Sequence, residues 1–170
     1  VDTVSVSVKR VDTSANASTP SSAAVTQEDL ISAGKLVLIS TAGDITVNAG
    51  TPATVGVQTV GNLLLQATAG SITLGANVAN SAGNTSVSAA GSITQNANIT
   101  ASTSGQTIEL IAGSSISMGV GATIGTNNAG VLLNADGSVT LGSITAGTGS
   151  VAITAGANIV DGRATPGADI

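Results

Sequence analysis

Residues 61–78 read GNLLLQATAGSITLGANV and contain three short runs in which apolar residues alternate with small or polar ones. An alternation of period two is typical of a β-strand that buries one of its faces. Gly61, Gly70 and Gly75 separate the runs. The apolar positions are, run by run, Leu63, Leu65 and Ala67; Ile72 and Leu74; Ala76 and Val78. This stretch therefore predicts three short strands in close succession.

The same pattern recurs along the chain, and each unit contains a close pair of glycines. From Gly34 to Gly149, the five steps between units average 23 residues. A period of this length with about three strands is typical of one coil of a β-solenoid. The pairs are Gly34/Gly43, Gly61/Gly70, Gly83/Gly91, Gly105/Gly113, Gly130/Gly137 and Gly149/Gly156. We therefore predict an all-β fold, a parallel β-helix of about six coils over residues 30–162.

The spacing also predicts which side chains lie above one another. Leu65 should lie between Leu38 and Val87, with parallel strands of successive coils about 4.8 Å apart. A second inward column should contain Ile45, Ile72, Ile93, Ile116 and Val139. The corner glycines would permit the positive φ angles of sharp turns. We favour this fold over an antiparallel sandwich, because self-similar units serve no purpose there and turns of the Asp-Gly type are rare.

The composition supports a narrow β-helix and excludes some functions. The 170 residues include no Cys, His, Trp, Tyr or Phe, although aromatic side chains normally supply much of a globular core. Four basic residues against nine acidic ones, with no aromatic platform for bases, argue against nucleic-acid binding. No apolar run approaches the roughly 18 residues of a membrane span, and no signal peptide is apparent. Because the chain begins at Val1, we expect a mature or excised fragment.

Residues 1–29 differ from the repeats and are predicted to contain a strand, a linker and a cap. Val4, Val6 and Val8 alternate with polar residues, as in a strand. This strand either covers the end or side of the solenoid or pairs with an exposed edge of another subunit. Residues 12–24 are a linker rich in Ser, Thr and Ala. Residues 163–170 are predicted to be an irregular tail.

The residues just before the first glycine pair allow two interpretations. Thr26 and Asp29 fit a capping box, which would open a short helical turn over Leu30 and Ile31. Alternatively, Leu30 and Ile31 are the third strand of a preceding coil.

Candidate catalytic residues are confined to carboxylates, because the chain lacks His and Cys. The acidic residues within the coils fall in different units, where turn chemistry accounts for Asp better than catalysis does. They are Asp44, Glu109, Asp136 and Asp161. Neither a calcium-binding nonapeptide repeat nor an EF-hand spacing occurs. We therefore predict no catalytic residues, no cofactor and no metal.

Two polar rows recur at fixed places in the units. Asparagines precede the apolar residue of the third run and are predicted to form a ladder of mutual amide hydrogen bonds at one corner, a structural role rather than a ligand-binding one. Its members would be Asn77, Asn98 and Asn158, with Thr123 at the equivalent place. The second run carries one outward hydroxyl per coil, at Thr46, Thr73, Thr94, Ser117 and Thr140. A single such row argues against an ice-binding face, which would need regular TxT rows.

The units AGSITLGANV, AGSITQNANI and ADGSVTLGSI resemble those of large bacterial exoproteins of the filamentous-haemagglutinin type. The resemblance covers roughly residues 34–162. It implies a right-handed parallel β-helix, secretion by a two-partner route, and a place at the bacterial cell surface or in the biofilm matrix. It carries over no functional residues.

From these patterns we expect a non-enzymatic structural or adhesive segment of a secreted bacterial surface protein. The alternative is an extracellular fibre subunit that associates with itself through the solenoid ends or through the strand of Val4, Val6 and Val8. A third alternative is a polysaccharide-degrading β-helical enzyme. We expect no nucleic-acid partner and no membrane span.

Overall fold

The computed structural model of the chain describes residues 30–49 and 54–163, together with two short strands at 7–9 and 24–26. Throughout these ranges the secondary structure is β, with no helix. The strands are, in chain order, β1 (Ser7–Lys9), β2 (Ala24–Thr26), β3 (Leu30–Ser32), β4 (Leu36–Ser40), β5 (Ile45–Val47), β6 (Val55–Thr59), β7 (Leu63–Ala67), β8 (Ile72–Leu74), β9 (Asn77–Asn80), β10 (Thr85–Ala89), β11 (Ile93–Gln95), β12 (Ile99–Ala101), β13 (Ile108–Ala112), β14 (Ile116–Met118), β15 (Thr123–Thr126), β16 (Val131–Ala135), β17 (Val139–Leu141), β18 (Ser143–Thr145), β19 (Val151–Ala155) and β20 (Ile159–Asp161).

Three six-stranded sheets build the solenoid, and the chain visits them in rotation. Sheet 1 contains the five-residue strands β4, β7, β10, β13, β16 and β19. Sheet 2 contains β5, β8, β11, β14, β17 and β20, and sheet 3 contains β3, β6, β9, β12, β15 and β18. Neighbouring strands within each sheet are parallel. The prediction of a parallel β-solenoid with three short strands per coil is thus confirmed, and the antiparallel sandwich is excluded.

The register matches the predicted columns. Leu65 pairs with Leu38 on one side and Val87 on the other. In sheet 2 the predicted column runs without a shift through Ile45, Ile72, Ile93, Ile116 and Val139. The five members of that second column are at most 1% exposed. Because each coil repeats the same in–out alternation, one register places the inward-facing residues of every coil in the lumen.

The core is aliphatic and continuous along the solenoid. Val, Ile, Leu, Ala and a single methionine, Met118, fill it. The apolar residues of sheet 3 also point inward: Val78, Ile99, Ile124 and Ile144 are all buried. Since each coil buries its apolar stripe only against its neighbours, the stability of the array comes mainly from contacts between adjacent coils.

At eight of the twelve paired glycines an added Cβ would lie less than 3.0 Å from an atom of the preceding coil, so space rather than backbone conformation requires glycine there. Of the twelve paired glycines, only Gly105 has a positive φ, so the prediction of left-handed corners is wrong. At Gly83 an added Cβ would lie 2.2 Å from the carbonyl carbon of Gly61 in the preceding coil. At Gly149 it would lie 2.0 Å from the carbonyl oxygen of Ala129. At these eight positions successive coils therefore stack too closely for a side chain, whereas an added Cβ at Gly34, Gly43, Gly105 or Gly130 would meet no atom closer than 3.6 Å.

The N-terminal region contains a third strand where a helical turn was the alternative, and it also contains a pair of antiparallel strands. Leu30 and Ile31 belong to β3, which pairs in parallel with β6, so the interpretation as a third strand is confirmed and the helical turn is wrong. The strand β1, which includes Val8, pairs antiparallel with β2 of the same chain. Val4 and Val6 lie outside the described residues.

Candidate functional site

The four acidic residues predicted to be non-catalytic lie in four different coils. Asp44 precedes β5, Glu109 lies in β13, Asp136 follows β16, and Asp161 ends β20. Glu109 is in register with Leu132 of the next coil. Asp136 lies four residues beyond Leu132, so its Cα is about 13 Å along the chain direction from the position opposite Glu109, at 3.3 Å per residue. Glycoside hydrolases hold their two carboxyl groups roughly 5 to 9.5 Å apart. Within the described ranges, no group of three or more His, Cys, Asp or Glu residues is placed to hold a metal ion.

The polar residue before each sheet 2 strand takes part in a ladder that runs the length of the solenoid. Its side-chain oxygen accepts a hydrogen bond from the backbone N–H of the equivalent residue in the next coil. The ladder begins with the Asp44 carboxylate, which accepts from Ser71 N–H at 2.7 Å. It continues through Ser71, Ser92, Ser115 and Ser138 to Asn158, over distances of 3.1 to 3.4 Å.

Sheets 1 and 3 carry shorter ladders of the same kind. Before the sheet 1 strands, Asn62 Oδ1 accepts from Asn84 N–H, and Asn84 Oδ1 accepts from Thr107 N–H at 3.0 Å. At sheet 3, Asn77 Oδ1 accepts from Asn98 N–H at 2.9 Å, and Asn98 Oδ1 accepts from Thr123 N–H at 3.0 Å.

The predicted asparagine ladder therefore exists in a different form. The amide side chains bond to the backbone of the next coil rather than to one another. Asn158 was assigned to the wrong corner, because its N–H donates to Ser138 Oγ in the sheet 2 ladder.

These ladders provide hydrogen-bond acceptors for backbone N–H groups at the corners. The carbonyl of a corner residue accepts a hydrogen bond from the preceding coil, as Ser92 does from Ile72 N–H at 2.9 Å. The backbone N–H of the same corner residue finds no backbone carbonyl opposite it in the preceding coil. It donates instead to a side-chain oxygen of that coil, as Ser92 N–H does to Ser71 Oγ. Backbone groups at a strand end that lack such a partner are costly to bury. The signal in the sequence was the serine in the recurrent G-S-[IV]-T of residues 70–73, 91–94 and 137–140.

The outward surface of sheet 2 carries the predicted row of hydroxyls. Thr46, Thr73, Thr94, Ser117 and Thr140 are in register from coil to coil. The row ends at Val160, which is 47% exposed. One hydroxyl per coil gives a single file of polar groups, with no second outward position on these three-residue strands.

The outward surface of sheet 1 is mixed, with apolar side chains concentrated in the first coil. Val37 and Ile39 of β4 are 61% and 46% exposed. Further along, a shallow groove of about 400 Å³ lies between Glu109, Leu132 and Ala152. Ser86 Oγ donates to the Glu109 carboxylate at 3.4 Å.

The aliphatic lumen also contains buried polar side chains, namely Ser40, Thr59, Asn80, Thr85, Gln95 and Thr126. Gln95 replaces the Leu74 and Met118 of the neighbouring coils and is fully buried. Its Nε2 donates to the carbonyls of Ala97 at 2.9 Å and Thr123 at 3.1 Å. Its Oε1 accepts no hydrogen bond from the described residues. The two donated bonds connect β11 to the corner of its own coil and to the start of β15.

No known protein family, curated protein or solved structure matches this chain. In the part of the chain that the structure describes, no helix is long and apolar enough to cross a membrane.

Proposed function

We propose that this chain is a non-enzymatic structural or adhesive segment of a secreted bacterial surface protein, either an adhesin shaft or a scaffold of the biofilm matrix. The observation that carries the proposal is the use of its polar side chains. They form hydrogen-bonded ladders between coils, such as the one from Asp44 to Asn158, instead of converging on a cleft. Such an arrangement provides length and stiffness rather than chemistry.

Two further observations support this proposal. The repeat units AGSITLGANV and AGSITQNANI are similar in style to those of filamentous-haemagglutinin-type exoproteins. A solenoid also presents its surface as long parallel rows, which suits repeated weak contacts with another cell or with matrix material.

Fractionation of the native cells tests the location. An antibody against the purified chain should detect it on the cell surface or in the medium, and protease added to intact cells should remove the surface signal. A signal confined to the cell interior would refute the proposal.

Deletion of the coding sequence tests the role. Loss of the chain should reduce attachment of cells to surfaces or to one another, and re-expression should restore it. Re-expression of Ile93→Asp, which places a charge in the core, is the matched control and should not restore attachment. Release of reducing ends from a polysaccharide by the purified chain, lost in Glu109→Gln or Asp136→Asn, would replace this proposal with an enzymatic one.

A second candidate function is a self-assembling fibre subunit. The two ends of the described solenoid favour it, because each end leaves strand edges and partly exposed core residues, including Leu36 and Leu38 at one end and Ile153 at the other. Subunits would join either by exchange of the strand of Val4, Val6 and Val8 or by stacking of solenoid ends. Deletion of residues 1–11 separates the two routes, because fibres built by strand exchange would dissociate while stacked fibres would persist.

A further inference from the structure

The two ends of the described solenoid are offset by one third of a turn. The first solenoid strand, β3, lies in sheet 3, whereas the last two, β19 and β20, lie in sheets 1 and 2. The sixth coil thus has its first two strands but, in the described residues, no strand in sheet 3 after β18. The lone β3 at the other end is the element that would complete such a coil. Each sheet accordingly contains six strands in the described residues.

The side chains at the two ends also correspond in register. If β4 of a second copy continued sheet 1, Leu36 would stack on Val151 and Leu38 on Ile153, and Ser40 would meet Ala155. In sheet 3, Leu30 would stack on Ile144. Apolar residues therefore meet apolar residues, as they do between coils within the chain.

Both ends present core residues that are not fully covered. Ile159 is 54% exposed, whereas the residues at its register position in the preceding coils are buried. Val151, Ile153 and Ala155 of β19, and Leu30, Leu36 and Leu38 at the opposite end, are only partly buried. Addition of a coil would cover these side chains and pair the edges of three strands. An unpaired strand edge is a strong template for β-addition.

We propose that β3, β4 and β5 of one copy dock on β18, β19 and β20 of a second copy, so that all three parallel sheets continue from one chain into the next. This inference rests on the second candidate function, the self-assembling fibre subunit, and names its partner as a second copy of this chain. The contact is heterologous, because different surfaces meet, and a translation along the solenoid axis does not close into a ring. The product is an open filament.

One residue limits the strength of this junction. Asp161 pairs with the buried Leu141 and so occupies an inward register position at the end of sheet 2. In the junction it would meet Val47 of the incoming copy. An inward charge at a sheet edge is a device by which proteins discourage edge-to-edge growth. Asp161 therefore holds the association weak, so that filaments form only at high local concentration.

Disulfide trapping tests the register directly, since the full chain contains no native cysteine. Val37 and Ala152 share a row on the outside of sheet 1, and both are exposed. Within one chain they are five strand spacings apart, about 24 Å, so a disulfide between them must join two molecules. The variant Val37→Cys/Ala152→Cys should give a ladder of multimers on non-reducing gels after mild oxidation of the concentrated protein.

The matched control is Ile39→Cys/Ala152→Cys. Ile39 lies two residues along β4, so its Cα would be about 8 Å from that of Ala152 in the junction, beyond the reach of a disulfide. It should stay monomeric. Equal cross-linking in both variants, or none in either, would overturn the junction. Neither result bears on the cell-surface location or the attachment phenotype, so the structural role would be judged separately.

The variant Asp161→Val tests the fit of sheet 2. Removal of the charge should tighten association, measured by sedimentation velocity, by about tenfold or more. If the Val37→Cys/Ala152→Cys pair cross-links but Asp161→Val sediments like the original chain, β20 does not meet β5, and the proposed register of sheet 2 is wrong.

Discussion

Replacement of Ile93 by alanine measures how much one residue of the central stack contributes to stability. Ile93 is fully buried and is flanked in register by Ile72 and Ile116. The substitution removes buried methyl and methylene groups and leaves a cavity, which typically costs about 2–5 kcal/mol. The strands above and below are fixed by their backbone hydrogen bonds and cannot close over the gap. We therefore expect the upper part of this range, about 3–5 kcal/mol, and a fall in Tm of roughly 6–20 °C.

The control is the same substitution in the same column at the end of the solenoid. Ile159 is 54% exposed, so Ile159→Ala should lower stability by only about 1 kcal/mol. Thermal and urea unfolding, followed by circular dichroism at low protein concentration, would compare the two variants with the original chain. Equal losses at both positions would show that stability does not follow burial along the column, and the stacked core would be refuted.

Three further substitutions test other parts of the structure. Gln95→Glu keeps the shape but turns two donated hydrogen bonds into oxygen–oxygen contacts in a buried site, so a loss of several kcal/mol is expected in urea titrations; an unchanged midpoint would mean that the side chain is solvated. Gly83→Ala should lower Tm because the added Cβ meets the preceding coil, whereas Gly34→Ala, with no atom within 4 Å of the added carbon, should not; similar Tm values for the two would contradict the close stacking. Asn98→Ala should cost about 1 kcal/mol through loss of the acceptor for the next coil, and Asn98→Asp should recover most of it; a failure of Asp to rescue would argue against the ladder.

The strand positions and inward columns were predictable because they depend on a short-range rule applied many times. An in–out alternation that recurs with a glycine pair in each unit leaves one register in which the alternating apolar residues of all coils face the lumen together. The column of Ile45, Ile72 and Ile93 follows from this rule without any knowledge of the corners. The absence of aromatic residues from the sequence also indicated a narrow lumen filled by aliphatic side chains.

The corners were harder to predict because they depend on contacts between coils. The sequence shows that Gly83 is glycine, but not which property of glycine is needed. Only the placement of Gly61 directly against it shows that space is the requirement. Asn158 was misplaced because the units vary in length, so an Asn-Ile pair before a sheet 2 strand looks the same as one before a sheet 3 strand.

The helical turn over Leu30 and Ile31 failed for a related reason. A capping box is a local signal that stabilises a helix end by about one hydrogen bond in each direction. The competing strand pairs with β6, whose Val57 lies opposite Leu30, and a pairing partner so far along the chain leaves no local trace. Long-range pairing outweighed the local preference.

The direction of the hydrogen bonds between coils has a mechanical consequence. They lie nearly parallel to the solenoid axis, and β3 and β20 are at opposite ends of the stack. A pull on the two ends therefore loads the outermost coil alone, which peels off before the next one feels the full force. Each released coil of about 23 residues would lengthen the chain by roughly 70 Å. Under tension the molecule would unfold one coil at a time, in steps of similar length, and the coils would refold when the load is removed.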